Sequence, residues 1–120
     1  MSIDVSEQNC IFCRIITGNA PAKVVYRDAL CTAFHDIHPV APWHILIVPN
    51  KHIPSVNDIQ VEDETLIGHL FVVAKLIAQE QGIASSGYRC IVNTGPDSGQ
   101  AVFHLHLHLI GGRRMRFPMG

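Results

Sequence analysis

The sequence predicts an α+β fold: a five-stranded antiparallel sheet with one long and one short helix. Five short stretches rich in apolar and β-branched residues are bounded by turn residues, as strands are. Residues 62–81 instead repeat their apolar side chains every 3.6 positions, the period of a helix. The resulting order, β-β-β-α-β-β, suits an antiparallel sheet with its helices on one side.

The elements follow in order. Ile11, Phe12, Ile15 and Ile16 stand at helical spacing and predict a brief helix, with Gly18 as its C-cap. Residues 24–26 and 30–34 read as two strands joined by a turn at Arg27, Asp28 and Ala29. Pro39 and Pro42 make residues 36–43 a loop. Residues 44–48 are almost continuously apolar, which predicts a strand covered on both faces. In the long helix, Leu66, Leu70, Val73, Ala74 and Ile77 form a core-facing stripe. Glu62, Asp63 and Glu64 suit the positive end of its dipole, and Gly82 its C-cap. Ile67, Phe71 and Val72 widen the stripe beyond what one core needs, which suggests a second buried surface. Residues 89–93 predict a fourth strand, and the turn-rich 94–99 lead into the last.

A chain of 120 residues fits one domain, 1–120, with polar residues 1–9 frayed and 113–120 a C-terminal tail. With 48% apolar and 16% charged residues it should fold as a globule. A net charge of −1 argues against a nucleic-acid surface, which is normally basic. Arg113, Arg114 and Arg116 read as a solvated tail. The first residues lack the basic start and apolar segment of a signal peptide, and no apolar run approaches the ~20 residues that span a bilayer. A cytoplasmic protein without a membrane partner is expected. Its four cysteines are then thiols or ligands rather than disulfides. Cys31 and Cys90, in strands, read as buried small hydrophobes. Cys10-x-x-Cys13 alone fits a redox motif, a zinc site or chance, and no strand precedes it as a thioredoxin-like motif requires.

The most informative stretch is 103–110, where His104, His106 and His108 alternate with leucines. On a strand this alternation puts all three imidazoles on one face, ~6.5–7 Å apart along the chain. A solvated face needs no such row; phosphate chemistry or metal ligation does.

His104 to Ile110 match the His-φ-His-φ-His-φ-φ signature, with φ apolar, at every position. Residues 11–16, 33–37, 44–49, Gly99-Gln100 and 111–113 follow in the same order, so that nearly the whole chain resembles the histidine-triad (HIT) family, in its Hint branch of nucleoside phosphoramidases. The resemblance implies hydrolysis of purine nucleoside phosphoramidates with no organic cofactor. His106 would attack the α-phosphorus, expelling an amine and leaving a nucleotidyl-histidine that water hydrolyses. A neutral imidazole is a good nucleophile near pH 7. Developing charge on the phosphate needs waiting donors, and the resemblance offers His108, the Gly99, Gln100 and Ala101 backbone, and Asn93. Asp36 would accept from the ribose hydroxyls. Phe12, Phe34, His35 and Ile37 would form the base slot, although Phe12 and Phe34 taken without the resemblance read as core. His44 would join His104 in a proton relay.

Some relatives hold a structural zinc through a Cys-x-x-Cys, the histidine of Pro-x-x-His and the first triad histidine. Those positions here are Cys10, Cys13, His52 and His104, a set that satisfies tetrahedral zinc. The branch also implies a homodimer in which the long helix and the adjacent strand meet their copies and the sheet becomes ten-stranded. Two departures stand out. Ala101 replaces a serine whose hydroxyl could assist the departing amine, and Phe117 replaces a tryptophan in the tail. Other readings are dinucleoside polyphosphate hydrolysis, a regulatory nucleotide-binding dimer with little turnover, and a zinc hydrolase using the histidine row as metal ligands.

Overall fold

The strand Trp43–Pro49 organises the molecule, because almost every residue in it is apolar and its two faces must both be covered. In the computed structural model, which describes residues 9–116, it is the middle strand of a five-stranded antiparallel sheet. In chain order the strands are β1 (Val24–Arg27), β2 (Cys31–His35), β3 (Trp43–Pro49), β4 (Tyr88–Ile91) and β5 (Leu107–Gly111); in space they run β1-β2-β3-β5-β4. The helices are α1 (Ile11–Ile16) and α2 (Glu64–Glu80).

The two helices lie on opposite faces of the sheet, not on one side as the element order suggested. Ile45 and Ile47 of β3 join Cys31, Ala33, Leu107 and Leu109 against Leu70, Val73, Ala74 and Ile77 of α2. The alternate residues Leu46 and Val48, with Phe34, meet Cys10, Phe12 and Ile15 from the α1 region. A strand apolar on both faces gains from cover on both, at ~25 cal/mol per Å² of apolar surface removed from water. The short helix supplies the second cover, but only at one end of the sheet.

Both helices end as their glycines predicted. After α2, Gly82 takes φ +73° and its N–H donates to the Gln79 carbonyl, while Ile83 N–H donates to Ala78. Gly18 closes α1 in the same way, with Asn19 N–H donating to Arg14. This double closure satisfies carbonyls the helix itself leaves unpaired. At the other end, α2 starts at Glu64 after a 3₁₀ turn, Val61–Asp63, rather than at residue 62. Asp63 is buried and accepts from Gln60 N–H and from Lys51 Nζ at 2.7 Å.

Leu30, expected in β2, belongs to the turn before it. Asp28 accepts from the N–H groups of Leu30 and Cys31, an Asx-type turn. Burial opposes its charge, but these bonds and those from His69 and Tyr26 hold its carboxyl well below the usual range. His69 lies 2.6 Å from Asp28, which ties α2 to the turn.

Two further expectations change. Cys31 is buried, but Cys90 is exposed: it shares the α2 face with Leu109, opposite which it pairs, but stands on the edge strand β4. Ile67 packs partly into the core, while Phe71, Val72 and Leu76 stay about half exposed on α2. Among the described residues there is no disulfide, and no helix is long and apolar enough to cross a membrane. Phe117, residues 1–8 and the tail beyond Arg116 lie outside the described residues.

Candidate active site

The histidine row keeps its predicted face but is only half strand. Regular pairing of β3 with β5 stops at Ile47 opposite Leu107. Pro49, near the end of that ladder, has no N–H to donate. Its carbonyl instead accepts from His104 Nε2–H at 2.8 Å, and Leu105 N–H turns to the Ile53 carbonyl. The alternation survives: His104 and His106 both meet Phe12 edge-on, at 5.9 and 5.1 Å between ring centres, while Leu105, Leu107 and Leu109 enter the α2 core.

His106 is nearly buried. Its Nδ1–H donates to the His104 carbonyl at 2.8 Å, which leaves the lone pair on Nε2. Burial pushes its pKa down, partly offset by that hydrogen bond and by the charge of Asp36. The result is a neutral imidazole with a fixed tautomer, the form a nitrogen nucleophile needs.

His108 stands beside it, 4.9 Å between ring centres. Its tautomer is set by a chain that begins in the backbone. Val40 N–H donates to His44 Nδ1 at 3.2 Å. His44 must then carry its proton on Nε2, which donates to His108 Nδ1 at 2.9 Å. His108 in turn bears its proton on Nε2, as a hydrogen-bond donor. Asp36 Oδ2 lies 3.3 Å from the same His44 nitrogen, while Oδ1 accepts from His38 N–H. Burial lowers the pKa of His44, and lowers that of His108 to about 4 with help from the neighbouring imidazoles. His44 therefore couples to His108, not to His104. The cause is register: His44 sits opposite Ile110, and Leu46 opposite His108, so His44 and His108 are diagonal neighbours on one face.

His104 turns to other chemistry. With Nε2–H on Pro49, its Nδ1 lone pair lies 3.3 Å from Cys10 Sγ, 3.5 Å from Cys13 Sγ and 3.2 Å from His52 Nδ1. Cys13 Sγ and His52 Nδ1 are 3.2 Å apart. Both nitrogens of His104 are thus engaged away from His106, which leaves none for a relay. Zinc bonds of ~2.0–2.3 Å in a tetrahedron imply ligand separations of roughly 3.3–3.8 Å, so this donor set fits zinc closely. The pairing of His104 with a backbone carbonyl is the outer contact that orients a metal-bound imidazole. The three histidines of the row do not form a common metal cluster among the described residues.

The remaining predicted residues divide. Phe12 and Phe34 meet edge-to-face at 5.4 Å on the histidine face. His35, one residue on, points to the other face and lies 5.8 Å from Trp43, while Ile37 is strongly exposed. Gly99 takes φ +85°, a conformation that favours glycine. The Gln100 side chain is turned inward: it accepts from Gly95 N–H and donates to the Pro54 and Val102 carbonyls. Its backbone N–H is taken as well, donating to the Gly95 carbonyl at 3.3 Å, and Gly99 N–H donates to the Pro96 carbonyl, so these two expected phosphate donors are engaged within the loop. Ala101 is exposed and borders a cavity with Cys10, His52 and Pro54. Asn93 borders a different cavity with His44 and His108. That cavity also takes Arg89 and Arg113, which sequence reasoning did not assign to a site. The only available signal was that Arg89 shares the alternation phase of Ile91, the residue opposite His108.

Comparison with known proteins agrees with this geometry. The purine nucleoside phosphoramidase of Escherichia coli K12 is 51% identical over 113 residues, covering 94% of this chain and 92% of that protein. The crystal structure of a HIT family hydrolase from Legionella pneumophila superposes with a TM-score of 0.91 at 46% identity, over 93% of this chain and all of the other. A zinc-bound histidine triad family protein from Mycobacterium smegmatis has a TM-score of 0.78 at 30% identity, over 89% and 77% of the two chains. Residues 17–115 match the HIT domain, and that span holds every strand of the sheet and the whole histidine row. The chain belongs to the HIT domain family.

Proposed function

We propose that this chain hydrolyses the P–N bond of purine nucleoside 5′-phosphoramidates through a nucleotidyl-histidine. The observation that carries the reading is the hydrogen bond from His106 Nδ1–H to the His104 carbonyl, which keeps the Nε2 lone pair free. The name of the E. coli relative supplies the substrate class. In the first step Nε2 of His106 bonds to phosphorus, the P–N bond breaks with its electron pair going to the departing nitrogen, and that nitrogen takes up a proton from solvent water. His108 donates its Nε2–H to the phosphate oxygens, where negative charge develops. In the second step water adds its oxygen to phosphorus and gives up a proton to solvent, the P–Nε2 electron pair returns to Nε2, and the nucleoside monophosphate is released. Phe12 and Phe34 flank the base, and Asp36 accepts from the ribose.

Cys10, Cys13, His52 and His104 would hold a zinc, whose role would be structural, pinning α1 beside His106. Reduced thiols suit a cytoplasmic setting. The exposed Phe71, Val72 and Leu76 on α2, together with the free edge of β4, form the face of a two-fold homodimer. Light scattering at micromolar concentration should report about twice the 13.2 kDa chain, and a monomer would remove the dimer from this reading.

The test is trapping. Rapid quench with adenosine 5′-phosphoramidate should show a nucleotidyl adduct on His106 by mass spectrometry. His106→Gly should form none and lose ~10⁴-fold or more in turnover. Turnover that survives this change would overturn the mechanism.

A further inference from the structure

On the histidine face, past His108, opens a cavity of about 330 Å³. Its wall includes His44 and His108, and three arginines from two segments: Arg89 of β4, and Arg113 and Arg116 after β5. Among the described residues no aspartate or glutamate lines it, although the chain as a whole carries a net charge of −1. The placement is built in. Arg89 pairs opposite Ile110, which puts it on the face of His108, and Arg113 Nη2 is anchored on the Val40 carbonyl at 2.6 Å. Along β5 the order is directional. Phe12 lies against His104 and His106, whereas the cavity is bordered by His108 and Ile110. A nucleoside stacked at Phe12 and a phosphorus held at His106 and His108 leave the cavity on the far side. In-line displacement sends the leaving group away from the attacking nitrogen.

We propose that this cavity receives the leaving group and that Arg89, Arg113 and Arg116 select one bearing a negative charge, a carboxylate or a further phosphate. This rests on the phosphoramidase reading. Guanidinium groups bind both oxyanions through charge-assisted, often bidentate, hydrogen bonds. A volume near 330 Å³ accommodates a group far larger than ammonia.

Four adenosine 5′-phosphoramidates test it on the full-length chain: the unsubstituted compound and those of β-alanine, β-alaninamide and 2-aminoethyl phosphate. Hydrolysis of the unsubstituted compound reports on the phosphoramidase reading alone. The β-alanine compound should exceed its neutral amide in kcat/KM by about tenfold or more, and Arg116→Ala or Arg89→Ala should bring that ratio toward one. The aminoethyl phosphate arm tells which oxyanion is preferred. Calorimetry with the same compounds on His106→Ala ranks their binding without turnover, so the subsite is decided even if none is cleaved. Equal binding of the β-alanine compound and its amide, or a preference that survives Arg116→Glu, would overturn the proposal.

Discussion

His44 Nε2–H donates to His108 Nδ1 at 2.9 Å, and through this bond a backbone N–H at Val40 decides which nitrogen of His108 can face a phosphate. Without His44, His108 could place its proton on Nδ1 and present a lone pair to an anion. His44→Phe should therefore lower kcat/KM by ~100-fold, the usual scale for losing one donor at a developing oxyanion. His44→Asn retains an N–H that can reach Nδ1 and should recover part of the loss. Steady-state kinetics on both variants checks this; an unimpaired His44→Phe would show that His108 needs no such orientation.

The acid limb of stability should carry the mark of His108. Burial and the neighbouring imidazoles lower its pKa to about 4, against an ordinary value of 6.5. Above pH 6.5 both folded and unfolded chains are neutral at this residue, and it has no effect. Below 6.5 the unfolded chain takes a proton the folded chain refuses, so stability falls as pH drops toward 4. His44, also lowered by burial, acts with the same sign. An NMR titration should find the His108 ring signals flat from pH 8 to about 5. Melting curves of His108→Gln should decline less between pH 6.5 and 4 than those of the parent chain.

Gln100 holds the loop before the histidine row rather than the ligand. Its amide closes three hydrogen bonds, to Gly95, Pro54 and Val102. Gln100→Ala removes them from a buried position and should cost ~2–3 kcal/mol of stability. Gln100→Glu keeps the bond from Gly95 but strips the donors to Pro54 and Val102, so it should be destabilised as well. Chemical denaturation reads both. A Gln100→Ala chain of parental stability that had lost nucleotide affinity would instead return the side chain to the binding site.

What was legible followed from periodicity. Alternation at 104–108 fixed a shared face for the histidines, and the glycines at 18 and 82 marked both helix ends, because these depend on neighbours along the chain. What depended on pairing was hidden. Nothing local says that His44 falls diagonal to His108, since that is set by the offset of β3 against β5. Nothing local says that Arg89 lies at the His108 end of the face rather than in solvent, because edge order is not written in a strand. The apolar residues at 46 and 48 did signal a second covered face. The element order argued for one, and the demand of burial outweighed it.

The cluster of Cys10, Cys13, His52 and His104 joins three separate segments of the chain at one point. Cys10 precedes α1, and its sulfur accepts from Cys13 N–H at 3.4 Å, so the motif caps the helix it starts. His104 comes from the row, and His52 from the segment after β3. His104 Nδ1 and His52 Nδ1 lie 3.2 Å apart, a separation that two ligands of one tetrahedral zinc would have. Zinc held there would convert its binding energy into folding energy. The purified chain should hold about one zinc by elemental analysis. Cys10→Ser should lose most of it and lower the melting temperature by at least ~5 °C. Because α1 also carries Phe12 against His106, the same variant should weaken nucleotide binding while leaving the His44–His108 pair intact by NMR. Retained zinc, or unchanged melting after its loss, would return Cys10 and Cys13 to ordinary buried thiols.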